Sequence, residues 1–159
     1  MNILIWLSNT APAVWARESE SVWGYPTILF LHTLGLGILV GFTTTIDFRI
    51  LGFAPQVPLE LMDRFFRLIW LGFWINAVSG TALLIMSPSK VENPAFLIKM
   101  ALVALGVVNM WLLKRRMLRD TSRIGSGPTR ARLLAATSLV LWAGAITAGR
   151  LIAYVGNVR

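Results

Sequence analysis

The chain has no cysteine, which excludes disulfides, thiolate metal sites and redox thiols at once. Histidine occurs once, as His32, and seven acidic residues stand against fifteen lysines and arginines. One imidazole and no paired carboxylates in any apolar stretch leave hydrolytic acid–base catalysis without a constellation. Charge of either sign is scarce, at 14% of residues, where a soluble domain carries about a quarter. Met62, Met86, Met100, Met110 and Met117 lack the close spacing of a copper relay.

What the chain has in plenty is apolar surface, with 56% hydrophobic residues and a positive mean hydropathy. This composition predicts an all-α integral membrane four-helix bundle forming a single domain over residues 1–159, preceded by an amphipathic interfacial helix. The formal charge of +8 would point to nucleic acid in a soluble protein. Here the basic residues cluster between two apolar runs, where membrane topology accounts for them, so the lipid bilayer is the expected partner and nucleic acid is not.

Residues 1–9, MNILIWLSN, are apolar but short and lack a basic leader, so no signal peptide is read there. From about residue 11 to 23, Val14, Trp15, Val22 and Trp23 alternate with Arg17, Glu18 and serines, the pattern of a helix lying at headgroup level. The first span, about 26–48, opens at Pro26, which suits a first helical turn. It carries His32 into lipid, where a titratable side chain normally faces a partner or a cavity. Gly37 and Gly41 form a small-xxx-small pair expected to admit another helix, and Asp47 is expected to pair with Arg49 at the far end, with Arg64 or Asp63 as further members of the cluster. Spans two to four follow at about 65–86, 95–113 and 133–155. Gly72, Asn76 and Gly80 share one side of span two, expected to face the bundle, and Asn76 and Asn109 are expected to bridge helices. A flexible basic loop is expected over Lys114–Arg132, with seven cations against Asp120. The positive-inside rule then puts that loop in the cytoplasm and both termini outside.

Depth brings the unusual polar groups together. His32 lies roughly 9 Å below the outer end of span one, Lys99 roughly 6 Å below that of span three, and Arg150 at a similar level in span four. The expected constellation is His32, Lys99 and Arg150, with Arg17 and Glu18 on the interfacial helix above and Tyr154 on the face of Thr147 and Arg150. A cationic pocket with one imidazole suits haem b, with His32 as metal ligand and Lys99 and Arg150 against propionates. A second axial ligand would come from Met86, Met100 or another subunit of an oligomer. A quinone, hydrogen-bonded by His32 and Lys99, is the alternative ligand, and both imply an electron-transfer module.

The segments WARESESVWGYP, LHTLGLGILVG, DFRILG, NPAFLIKM, Asn109 and GRLIAY resemble, over nearly the whole chain, a family of small bacterial inner-membrane proteins filed as a domain of unknown function. Its architecture is similar to the CopD-like and HemJ-like four-helix membrane proteins. The resemblance implies a bacterial inner-membrane location. The HemJ-like resemblance rests on a histidine in span one and a lysine opening span three. Where those proteins tend to carry a further histidine this chain has Asn109, a departure from bis-histidine ligation and oxidase chemistry. The CopD-like resemblance implies copper traffic, for which the spans are poor in ligands. Two other functions stay open: a non-enzymatic structural or assembly subunit of a membrane complex, and a permease for copper or a small anion.

Overall fold

In hydrocarbon every backbone N–H and C=O has to find its partner within the chain, and an α-helix supplies those partners from its own residues. The computed structural model describes residues 2–58, 61–119 and 129–155, with backbone alone at 2, 62, 63, 117–119, 129 and 153–155. It is 87% helical, with no strand among the described residues. Among the described residues six α-helices follow one another: α1 (Asn2–Ser8), α2 (Ala11–Glu18), α3 (Tyr25–Leu51), α4 (Met62–Met86), α5 (Pro94–Arg119) and α6 (Thr129–Val155). A 3-10 turn, Pro88–Glu92, joins α4 to α5. Helices α3 to α6 are each long and apolar enough to cross a membrane. Val78, Leu105 and Val140 point outward, an arrangement suited to lipid and unfavourable in water.

The helix ends are written in the sequence. Pro26 sits in the first turn of α3. At its other end Gly52 takes φ 93°, the left-handed conformation that ends a helix. The N–H of Phe53 then donates to the Phe48 carbonyl (2.9 Å), that of Gly52 to Arg49 (3.3 Å), and the Phe48 and Phe53 rings meet edge on. Asn93 caps α5 by accepting from the Ala95 N–H at 2.9 Å.

Around the bundle the order is α4, α3, α6, α5, with α3 against both α4 and α6, and α5 against α6. The start of α3, the end of α4, the start of α5 and the end of α6 share one end, here termed upper. There α1, α2 and the 3-10 turn pack against α4. Leu39, Ile46, Phe66, Ile69, Met110 and Trp142 belong to one buried core. Helices α3 and α4 cross at Gly35 and Gly72, where an added methyl at Gly35 would come within 2.6 Å of the Asn76 nitrogen.

Four expectations need correction. The packing glycines of α3 and α4 are Gly35 and Gly72, whereas Gly37 and Gly41 meet nothing within 4 Å, because two further residues rotate a helical position by roughly 200°. That same rotation separates Asp47 from Arg49. Asp47 is buried, and the Arg49 Nε–H donates to the Val57 carbonyl at 2.8 Å. The interfacial helix stops at Glu18, because Ser19 and Ser21 capture backbone N–H groups of Ser21 and Trp23. Finally, Lys114–Arg119 continues α5 and Arg130 and Arg132 begin α6, so those stretches of the expected loop are helical. Leucine, lysine and arginine favour helix, and cations stabilise a helix C-terminus. The remainder, 120–128, lies outside the described residues.

Candidate functional site

His32 stands on the packed face of α3, whose other members are Gly35, Leu39, Thr43, Ile46 and Asp47. Its ring lies against α4, as a methyl at Gly80 would sit 2.9 Å from Cε1. The Nδ1 is 3.0 Å from the Asn76 carbonyl and 3.3 Å from Ser79 Oγ. A carbonyl only accepts, so Nδ1 carries the proton. Ser79 gives its own proton to the Ile75 carbonyl, leaving its oxygen free to accept from Nδ1. In the neutral imidazole this fixes the tautomer and leaves the Nε2 lone pair uncommitted. In return the Asn76 amide donates to the His32 carbonyl at 2.8 Å. The side of α4 that carries Gly72, Asn76 and Gly80 therefore faces the bundle as the spacing predicts.

Lys99, half-buried on α5, runs along α6: a methyl at Gly149 would lie 3.6 Å from its Cδ and Cε and 3.7 Å from Nζ. Its ammonium is within electrostatic range of the His32 ring. Lys90 on the 3-10 turn adds a second positive charge near Lys99. The upper end thus joins an imidazole with a free lone pair to a nearby positive charge.

Comparison of the chain with protein-family models, with curated proteins and with solved structures finds no match in any of the three.

Other expected members of the site lie elsewhere. Arg150 is exposed on α6, as is Thr147, so the guanidinium stands at the surface of the bundle. Such a position suits a lipid phosphate. Arg17 and Glu18 are exposed on α2 and pair with each other at 3.0 Å. The Glu18 carboxylate therefore answers Arg17, and no ion pair to Lys99 or Arg150 occurs among the described residues. The Tyr154 side chain lies outside the described residues. Met86 is buried near the upper end and Met100 is exposed. Asn109 bridges helices as expected, its amide donating to the Leu134 carbonyl on α6 at 2.9 Å.

Two features escape the sequence reading. A cleft of about 340 Å³ opens between α4 and α5 at the lower end, lined by Phe66, Trp70, Met110, Trp111, Lys114 and Arg115. Lys114 stands over the Phe66 ring at 5.3 Å and Arg115 over Trp111 at 3.5 Å. The i, i+4 spacings of Phe66 with Trp70 and Met110 with Lys114 are visible in the sequence, but pairing α4 with α5 across a gap is not. The second feature is the buried Asp47, signalled by its four-residue spacing from Thr43 and Leu39 on the His32 face.

Proposed function

We propose that the protein is a membrane electron-transfer module of the bacterial inner membrane, binding haem b at the upper end of the bundle with His32 as axial ligand. The observation that carries this reading is the His32 tautomer. A backbone carbonyl holds the Nδ1 proton, and this same arrangement orients ligating histidines and keeps Nε2 available to a metal. Haem iron, when bound, supplies one-electron chemistry. The residues of this chain do the rest. Asn76 and Ser79 hold the ring in place, the missing side chain at Gly80 makes room for the ring itself, and Lys99 offers a positive charge to a carboxylate. Met86, buried on α4, is the second-ligand candidate within the chain. The positive-inside rule favours the upper end as the outer one, since Arg49, Arg64, Arg67, Lys114, Arg115 and Arg116 all cluster at the lower end.

A quinone is the second reading. The free Nε2 accepts a hydrogen bond from a quinol hydroxyl, and Lys99 donates to a quinone carbonyl. A structural subunit is the third, favoured by the paired hydrogen bonds that already use His32 and Asn76 to fasten α3 to α4.

Protein purified from haem-replete cells is expected to show a Soret band that His32→Ala abolishes and Lys99→Ala weakens. A colourless wild-type preparation eliminates haem. Mass analysis of co-purified lipids then decides for the quinone if a quinone is retained by wild type and lost in His32→Ala, and for the structural subunit if neither ligand is found.

A further inference from the structure

The lower half of the bundle holds a second set of polar groups with no role at His32. Asp47 is 0% exposed, and neither carboxylate oxygen has a hydrogen-bond partner. Across the seam on α6 lies Ser138, also 0% exposed, close to Asp47 yet outside hydrogen-bonding geometry. One turn along the same face of α6, the indole N–H of Trp142, 2% exposed, is unpartnered too. Buried polar groups are normally paired, so orphans gathered on two facing helices mark a place for something further.

Among the described residues no counter-charge answers Asp47. Helix α4 presents Phe66 and Ile69 to the core, with Arg64 and Arg67 exposed. Helix α5 presents Met110, Leu113 and Asn109, whose amide is committed to the Leu134 carbonyl, while Lys114 stands over the Phe66 ring. Helix α6 presents Ser138 and Trp142, with Arg130 and Arg132 exposed, and on α3 itself Arg49 is turned to Val57. Among the described residues the one ion pair is Arg17–Glu18, on the far side of the bundle. A lone carboxylate in such surroundings needs a cation or a proton.

The donor set chooses between them. An indole N–H only donates and ligates nothing, and one carboxylate with one hydroxyl falls far short of the roughly six oxygens a hard metal ion takes. A proton needs a single carboxyl oxygen. A turn of the Ser138 side chain lets the resulting O–H donate to its hydroxyl, and the other oxygen can accept from an indole or a water. We propose that Asp47, with Ser138 and Trp142, is a proton-binding site in the core, loaded from the lower aqueous face. Asp47 stands four residues, or about 6 Å along the axis, from the last residue of α3, so the lower face is its nearer aqueous side. In loading, a hydronium ion passes its proton to a carboxylate oxygen and leaves as water, and unloading reverses this. The site stands on α3 and α6 alone and holds whether or not His32 carries a ligand.

Infrared difference spectroscopy of the full chain in lipid nanodiscs, stepped between acidic and alkaline pH, reads the site directly. A protonated-carboxyl C=O band that shifts in D2O, is lost in Asp47→Asn, survives in Glu20→Gln and moves in Ser138→Ala supports it. Absence of any band removed by Asp47→Asn overturns it. So does an Asp47 carboxylate band that responds to sodium or potassium, which would mark a metal-ion site. Should Asp47→Asn not fold, Ser138→Ala and Trp142→Phe test the same band, and a band unmoved in both overturns the proposal.

Discussion

A single histidine gives the bundle a probe with no background. Its Nδ1 proton is held by the main-chain carbonyl of Asn76 rather than by the Asn76 side chain, so the two halves of the clamp are separable. Asn76→Ala removes the amide that donates to the His32 carbonyl and is expected to lower stability by about 1 kcal/mol, in line with interhelical hydrogen bonds in membranes. It leaves the tautomer untouched. In haem-free, 15N-histidine-labelled protein, NMR is expected to report a protonated Nδ1 and a bare Nε2 in both wild type and Asn76→Ala. Gly80→Val, by contrast, drives a side chain into Cε1 and displaces the ring. It is expected to perturb the imidazole resonances and to cost about 1–3 kcal/mol in thermal unfolding, as overpacking does. Unchanged resonances in Gly80→Val would mean that the ring does not rest on α4.

The pairing of α3 with α4 depends on backbone against backbone. A side chain at Gly35 meets the Asn76 nitrogen and the Gly72 oxygen, and one at Gly72 meets the Leu39 nitrogen and the Gly35 oxygen. Main-chain atoms do not swing aside, so the helices must part. Gly35→Leu and Gly72→Leu are each expected to lower the unfolding midpoint in detergent, with a loss of about 1–3 kcal/mol or more. Gly37→Leu and Gly41→Leu point into open space and are expected to stay within about 0.5 kcal/mol of wild type. Equal losses at all four positions would put the contact on a different face. The existence and length of these helices were legible in the sequence, because about 20 apolar residues cross a bilayer as helix whatever they later touch. Which glycines would pack was not, because Gly35, Gly37 and Gly41 differ only in angle around α3, and that angle is set by a partner helix. Rotation alone would have shown that Asp47 and Arg49 diverge, yet the inward turn of Asp47 became readable only once Thr43 and Leu39 were found on the packed side.

At the scale of the molecule, α3 carries both polar stations on one packed face. His32 and Asp47 lie fifteen residues apart, or about 22 Å along the helix, with Gly35, Leu39 and Thr43 between them. The upper station was legible because histidine and lysine are conspicuous in apolar runs and depth follows from counting. The lower one was not, because it depends on α6 delivering Ser138 and Trp142, two unremarkable residues, against one acid. Whether the stations address different compartments depends on orientation, and the absence of cysteine makes that directly measurable. Ser89 lies in the upper 3-10 turn and Gln56 in the lower connector between α3 and α4, both exposed. The clustering of arginine and lysine at the lower end argues that it stays on the cytoplasmic side. With the proposed inner-membrane location, a membrane-impermeant maleimide is therefore expected to label Ser89→Cys in cells whose outer membrane alone is permeable, and to label Gln56→Cys only after the inner membrane is opened. The reverse pattern would place the imidazole near the cytoplasm and the carboxyl of Asp47 near the exterior. The proposed proton site would then load from outside, and the proposed ligand site at His32 would lie toward the cytoplasm.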